Sequence, residues 1–281
     1  MGFLDWLRVI VLGIIEGVTE WLPVSSTGHL ILLNRLWPGN STVFTDAFTS
    51  IFDVIIQLGA ILAVVSVFFH KLNPISSYKT DAQKRNTWQL WLKIIVGVLP
   101  AAVVGFFLDD LMDKYLYNWV TVAITLIFYG VVFIVLEKRY SDRNVTITRF
   151  SQLSLRTALF IGLFQVLSLI PGTSRSGITI IGALILGCSR FIATEFTFYL
   201  AVPIMLGASG LKLVKYLFVR HMSISGTQAA ALFVAMAVAY VVSIFVIRFL
   251  ISYVKRHDFS PFGVYRIVLG LVVLLVFGLL L

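Results

Sequence analysis

Six runs of mostly apolar residues leave this chain few ways to fold, because about 20 such residues are what an α-helix needs to cross a bilayer. They fall at about 50–70, 88–108, 117–136, 193–219, 227–250 and 261–281. The chain is 59% hydrophobic and only 12% charged, against about 25% charged in a soluble domain. That is too little charge to cover a surface in water, so an all-α integral membrane protein is expected. The net charge is +9, from 22 Lys and Arg against 13 Asp and Glu. On a membrane protein such an excess reads as loops facing anionic lipid rather than as a nucleic-acid footprint, and no nucleic-acid partner is expected. The single cysteine, Cys188, excludes an internal disulfide framework and a multi-Cys zinc site. His29, His70, His221 and His257 are scattered, with no HExxH. Residues 1–6 lack a basic region and support neither a signal peptide nor myristoylation, so insertion is expected through the spans themselves.

Four further apolar stretches fall short of a span. Residues 3–21 contain Glu16 and Glu20, and 24–36 are too short and carry His29. Residues 153–170 end at Pro171, and 176–187 are again too short. They form two adjacent pairs, joined at Pro23-Val24-Ser25-Ser26-Thr27-Gly28 and at Pro171-Gly172-Thr173-Ser174-Arg175-Ser176-Gly177. Irregular backbone survives at membrane depth only when buried in protein or lining a watery cavity. Each pair therefore reads as a re-entrant hairpin, beside six spanning helices. The pairs also resemble each other: Gly13-Ile14-Ile15-Glu16 before Pro23 matches Gly162-Leu163-Phe164-Gln165 before Pro171, at an offset of about 149 residues. Each half adds three crossings, an odd number, so the second half must be inverted, as in many transporters. The expectation is one membrane domain over 1–281, with repeat one at about 1–140 and repeat two at about 151–281. Lys and Arg counting places eleven basic residues on one side, in 71–87, 137–152, Arg190, Lys255 and Arg256. That side should be cytoplasmic. The other side holds residues 37–49, an acidic turn at 109–114, and Arg220, with Lys212 and Lys215 nearby as a mild exception. Both termini then lie outside, and the two hairpin tips meet in the membrane from opposite sides.

The tips carry the chemistry. Glu16 and Glu20 are four apart and share a helix face, where like charges repel and intramembrane carboxylates are costly. They either face headgroups, share a proton, or hold a divalent cation, for which oxygen ligands favour Mg²⁺ or Ca²⁺ over Zn²⁺. Ser25, Ser26 and Thr27 are helix caps or, beside a base, nucleophiles. His29 is a buried structural histidine or a catalyst. The second tip, from Gly172 through Thr173, Ser174, Arg175 and Ser176 to Thr179, reads as an oxyanion cradle: close backbone approach at glycine, hydroxyl donors, a bidentate guanidinium and a helix N-terminus. Ile178-Thr179 stands where a Walker A motif needs Lys-Ser/Thr, so an NTPase is not expected. Arg175 is also a candidate partner for Glu16 or Glu20. Carboxylates, hydroxyls and an anion cradle converging in a membrane cavity suit phosphoryl transfer from a lipid-linked phosphate.

Glu16-Gly17-Val18-Thr19-Glu20, followed by Trp21 and Leu22-Pro23-Val24-Ser25-Ser26-Thr27-Gly28-His29, resembles the Glu/Gln-x-x-x-Glu region of the undecaprenyl-diphosphate phosphatase family, the bacitracin-resistance type. Pro171 to Thr179 is similar to its Pro-Gly-x-Ser-Arg-Ser-x-x-Thr motif without a departure. Residues 52–59, Glu195-Phe196, Ala201-Val202-Pro203 and Pro261-Phe262 also resemble the family, although Asp53 stands where Glu is expected. The resemblance implies hydrolysis of undecaprenyl diphosphate to undecaprenyl phosphate and inorganic phosphate in the bacterial inner membrane, recycling the cell-wall lipid carrier. It further implies two inverted repeats, a divalent cation and association as dimers. Carried onto this chain, Glu16 and Glu20 hold Mg²⁺ or Ca²⁺. Arg175, Ser174, Ser176 and the Gly172 backbone bind the terminal phosphate, with Ser25, Thr27, Thr173 and Thr179 as further substrate contacts. Ser26 attacks, or orients a water, with Glu20 or His29 as base. A lipid transporter or flippase is the rival expectation, motivated by the inverted repeats.

Overall fold

A computed structural model gives the structure of residues 1–37, 43–140 and 145–280, with Asp109, Asp113, Tyr140 and Leu280 described in backbone only. Among these residues the chain is all helix, apart from an isolated parallel bridge between Ile147 and Cys188. Twelve α-helices are described: α1 Phe3–Thr19, α2 Ser26–Leu36, α3 Asp46–Ile55, α4 Gln57–Val67, α5 Phe69–Leu72, α6 Asp81–Leu116, α7 Trp119–Tyr140, α8 Leu155–Val166, α9 Arg175–Ile185, α10 Arg190–Val214, α11 Gly226–Tyr253 and α12 Ser260–Leu280. Six segments are long and apolar enough to cross a membrane: Asp46–Val67, Asp81–Leu108, Trp119–Arg139, Arg190–Val219, Gly226–Tyr253 and Ser260–Leu279. They coincide with the six apolar runs, and the chain is a multi-pass membrane protein.

Differences at the ends have local causes. α6 begins seven residues before its apolar run, because Thr80 and Gln83 form a capping box that supplies the first orphan donors with acceptors. At its other end, residues 109–114 continue the helix and do not form the acidic turn expected there. The first span is split at Ile56 into α3 and α4. α10 closes in a π-helical turn over Lys215–Val219.

The four short apolar stretches appear as α1, α2, α8 with a 3₁₀ turn over Leu167–Leu169, and α9. α1 packs along α11 and α8 along α6, while α7 and α12 pack along each other. Small residues allow these close approaches. A Cβ on Gly13 would lie 2.7 Å from the Ala235 carbonyl, and one on Gly162 would lie 2.2 Å from that of Gly97. The residues leading into α2 and α9, Ser25 and Ser174, both have positive φ, 73° and 69°. Buried aromatics fill the centre, with Trp21 edge-on to Phe198 and Phe68 edge-on to Tyr199.

The basic loops gather at one end. Glu137 of α7 accepts three hydrogen bonds from the Arg190 guanidinium of α10 and one from the Phe259 amide just before α12. Lys71 pairs with buried Glu195, and Lys71 and Lys255 both approach the Phe191 ring. Arg143, counted with this group, lies outside the described residues. At the opposite end Lys215 pairs with Asp110 at 2.8 Å and holds that carboxyl below the usual carboxylate range.

Candidate functional site

The two breaks touch. Glu20 sits one residue past α1, and Arg175 opens α9. Arg175 Nη2 donates to Glu20 Oε1 at 2.9 Å, with side chains only 11% and 8% exposed. Ser26, the first residue of α2, donates from Oγ to the other oxygen, Glu20 Oε2, at 2.9 Å. One carboxylate thus takes a hydroxyl from its own side of the junction and a guanidinium from the other break. Arg175 is aimed by a second bond, Nη1 to the Thr197 carbonyl at 2.8 Å, and stands over the Trp21 ring at 5.7 Å. Removed from water, these charge-assisted contacts are stronger and more directional than they would be at a surface.

Local sequence explains the rest of the junction. Ser174 caps α9, accepting from the Gly177 amide at 3.2 Å. Its hydroxyl meets that of Ser176 at 3.2 Å, and Ser176 Oγ donates across to the Glu20 carbonyl at 3.2 Å. The matched Ser25 makes no side-chain cap, and instead its carbonyl accepts from His29. Gly172 has φ +85°, and a Cβ there would fall 2.2 Å from Thr125 Oγ1. Only glycine lets the second break lie so close to α7. Thr125 in turn donates to the Pro171 carbonyl at 2.8 Å.

A cavity of about 780 Å³ opens between the breaks. Glu20, Ser25, Ser26, Thr27, Gly172, Ser174, Arg175 and Ser176 line it, as expected residues; so do Thr19 and Gln57. An apolar cleft of about 870 Å³ adjoins it between α6 and α10, faced by Val98, Ala101, Gly105 and Pro203. The two share Ser168, Leu169, Ile204 and Ala208 as a common wall.

Four other expected residues lie away from this lining. Thr173 is fully buried, and its hydroxyl has no hydrogen-bond partner. Thr179 is buried behind Arg175, bonding its carbonyl at 2.9 Å and the Thr197 hydroxyl at 2.8 Å. His29 has both ring nitrogens engaged, Nδ1 with the Ser25 carbonyl and Nε2 with the Tyr265 hydroxyl, each at 2.7 Å. A carbonyl can only accept, so Nδ1 carries hydrogen. Glu16 is fully buried, and neither carboxylate oxygen has a hydrogen-bond partner. Nearby, Asp53 accepts from Asn34 at 3.0 Å through Oδ2 while its Oδ1 has no partner, and Asn34 accepts from Arg8 at 2.9 Å.

Metal-binding capacity rests on the carboxylates. No cluster of three or more His, Cys, Asp or Glu that could hold a metal occurs among the described residues. Glu16 nevertheless offers two orphaned oxygens in a dry setting, where a lone carboxylate needs a proton or a cation. Mg²⁺ is commonly held by one or two carboxylates with phosphate and water completing the shell, so the donor set fits that ion.

One residue missed in the sequence completes the junction. Arg266 of α12 is fully buried and donates from Nη2 to the Gly172 and Thr173 carbonyls, at 2.9 and 3.0 Å. Its Nη1 reaches the Pro23 carbonyl at 3.3 Å. An arginine inside the last apolar run was the only signal available.

Residues 9–272 match the family model described as bacitracin resistance protein BacA. A protein of Streptococcus mutans named undecaprenyl-diphosphatase is 52% identical over 280 residues, covering 100% of this chain and 98% of its own. Proteins of the same name from Lactiplantibacillus plantarum and Enterococcus faecalis are each 52% identical, covering 99% and 98% of this chain and the same shares of their own. With both signature segments meeting at one buried junction and the match running nearly end to end, the chain belongs to the bacitracin resistance protein BacA family.

Proposed function

We propose that this protein is a membrane phosphatase that hydrolyses undecaprenyl diphosphate to undecaprenyl phosphate and inorganic phosphate, returning the cell-wall lipid carrier to use. The observation that carries the reading is the triple contact of Ser26, Glu20 and Arg175: a hydroxyl hydrogen-bonded to a carboxylate that also faces a guanidinium. A nucleophile and its base lie in hydrogen-bond reach, beside a cation suited to phosphate oxygens. The adjoining apolar cleft supports a lipid substrate, since it gives a polyprenyl chain an apolar place beside the polar cavity.

In this mechanism Arg175 turns from Glu20 to the terminal phosphate, joined by Ser174, Ser176 and the Gly172 backbone. Ser26 Oγ attacks the terminal phosphorus, its proton passes to Glu20, and the bridging P–O bond breaks to release the lipid phosphate. Glu20 hands that proton to the departing lipid phosphate. As a carboxylate again it takes a proton from water, which attacks the phosphoserine, and the Ser26 Oγ–P bond breaks as Glu20 returns the proton to Oγ, freeing inorganic phosphate. His29 and Thr179 act from behind, holding the Ser25 and Arg175 backbone in place. Glu16 with Glu20 would hold the divalent cation, Mg²⁺ or Ca²⁺. Such an ion neutralises charge on a departing phosphate.

The same reading places α1–α2 and α8–α9 as re-entrant hairpins in two inverted repeats, about 1–140 and 151–281, within one membrane domain. The paired approaches at Gly13 and Gly162, and the paired positive φ at Ser25 and Ser174, support it. The basic end faces the cytoplasm and the cavity opens outward in the bacterial inner membrane. We also propose a homodimer, as the family resemblance implies, which mass measurement in detergent tests.

Phosphate release from a polyprenyl diphosphate by purified protein, with and without chelator, tests reaction class and metal together. Release that chelator abolishes supports both. A trapped phosphoserine at Ser26 supports direct attack, and its absence in an active protein assigns attack to water. Movement of labelled lipid across vesicles without phosphate release would replace the phosphatase reading with transport.

A further inference from the structure

Arg266 is not among the residues lining the cavity; it holds the Gly172 carbonyl from α12 and touches none of Ser26, Glu20 and Arg175. Its position is costly. An arginine inside a membrane helix normally faces water or an anionic partner, yet no ion pair to Arg266 occurs among the described residues. What it has instead is the Tyr129 ring at 5.9 Å and four backbone carbonyls: Pro23 from the first break, Gly172 and Thr173 from the second and, at 3.5 Å, Thr125 of α7. The carbonyls at the breaks are left over where the helices stop, and proline and glycine supply no side chain that could donate. A guanidinium spreads its donors over separate nitrogens of a flat fork, so it can reach carbonyls of separate segments that a single ammonium nitrogen would have to share.

We infer that Arg266 is a positioning residue that sets the distance between the two breaks and thereby the Ser26–Glu20–Arg175 alignment. This rests on the proposed phosphatase reading for its catalytic readout only. Glu20 and Ser26 sit three residues to either side of Pro23, and Arg175 sits three residues after Gly172. A shift of either carbonyl is passed through short, stiff backbone to the reacting groups. The packing leaves no slack for compensation, because a Cβ on Gly177 would already lie 3.3 Å from Arg266 Nη1. Lysine keeps the charge but offers a single nitrogen, so it can serve one break and not both.

The test is Arg266→Lys, with Arg266→Met as a second variant, read in two ways. Hydrogen exchange by mass spectrometry on the whole protein in detergent needs no activity. Peptides covering 20–28 and 170–178 should both exchange faster in Arg266→Lys, while those from 226–253 stay at the parental rate. Exchange at the parental rate at either break, or loosening confined to α12, would overturn the inference. In the release assay kcat should fall about 10²-fold with KM within about threefold, the cost of a misplacement near 1 Å. Adding Arg266→Lys to Arg175→Ala should cost little more, since the alignment it supports is already lost. Full additivity of the two changes, or an unchanged kcat per folded molecule, would make Arg266 a purely structural residue. If the parent releases no phosphate, the function reading fails and the exchange result still decides the role of Arg266.

Discussion

Glu20 serves two donors at once, and this makes it the residue whose loss should be felt most. Glu20→Gln keeps the shape but removes the charge, so Ser26 loses its base and Arg175 its resting partner. Arg175→Ala should lower kcat for phosphate release by about 10²–10³-fold, by analogy with the loss of a single oxyanion donor at about 2.7–4 kcal/mol. The check is a rate measured on protein that elutes as the parent does. Parental rates in folded Arg175→Ala would remove the cradle from the mechanism. Glu16 makes a separate forecast. Its oxygens have no donor, so Glu16→Gln should fold at least as well as the parent, because burying a neutral amide costs less than burying an unpaired charge. The Mg²⁺ concentration for half-maximal release should rise by at least about tenfold, the loss seen even for outer-shell partners of a metal. An unchanged Mg²⁺ titration would free Glu16 from any metal role.

Among the elements, the close helix pairs decide stability. A Cβ at Gly162 meets the Gly97 carbonyl, which is backbone and cannot swing away. Gly162→Ala should therefore destabilise by about 1–3 kcal/mol, the usual cost of overpacking. Gly278, with nothing within 4 Å, is the matched control whose alanine variant should melt as the parent does. The six spans were legible because hydropathy over about 20 residues is a local property, read without knowing what lies opposite. The breaks were legible for a related reason: Pro23 and Pro171 interrupt apolar sequence where backbone can end only in protein. What could not be read were partners set by distant chain. His29 is tied to Tyr265, 236 residues away. Arg266 bonds carbonyls, which carry no side-chain identity to match. Thr173 and Thr179 share a motif with Arg175, but Thr173 is buried in the turn before α9 and Thr179, one helical turn on, faces Thr197, a distinction that spacing within one short segment did not draw. The reverse held at 109–114, where acidic residues suggested a turn and helical hydrogen bonding carried on through them.

At the scale of the molecule, sidedness can be read with the protein's own chemistry. Cys188 is buried, and burial pushes its thiol up to about 12. It should stay unlabelled by a thiol reagent until the protein is unfolded. Single cysteines introduced at Tyr78, at the basic end, and at Tyr115, at the opposite end, then report alone; both positions are well exposed. Labelling of intact cells at position 115 but not 78 is expected, and the opposite pattern would invert the proposed orientation.

Biogenesis has to wait on one bond. Pro23 finds its donor, Arg266, 243 residues downstream, and α1 packs mainly on α11, more than on α2 beside it in sequence. At about 5–20 residues per second, the ribosome needs on the order of tens of seconds to make that distance. For all that time the first hairpin is in or near the membrane without the partners that complete it. It must therefore shelter in the insertion machinery or stay near the headgroups until the last helix arrives. A chain stopped before Ser260 should insert its early spans yet leave residues 20–28 open to protease, and extension through α12 should close them.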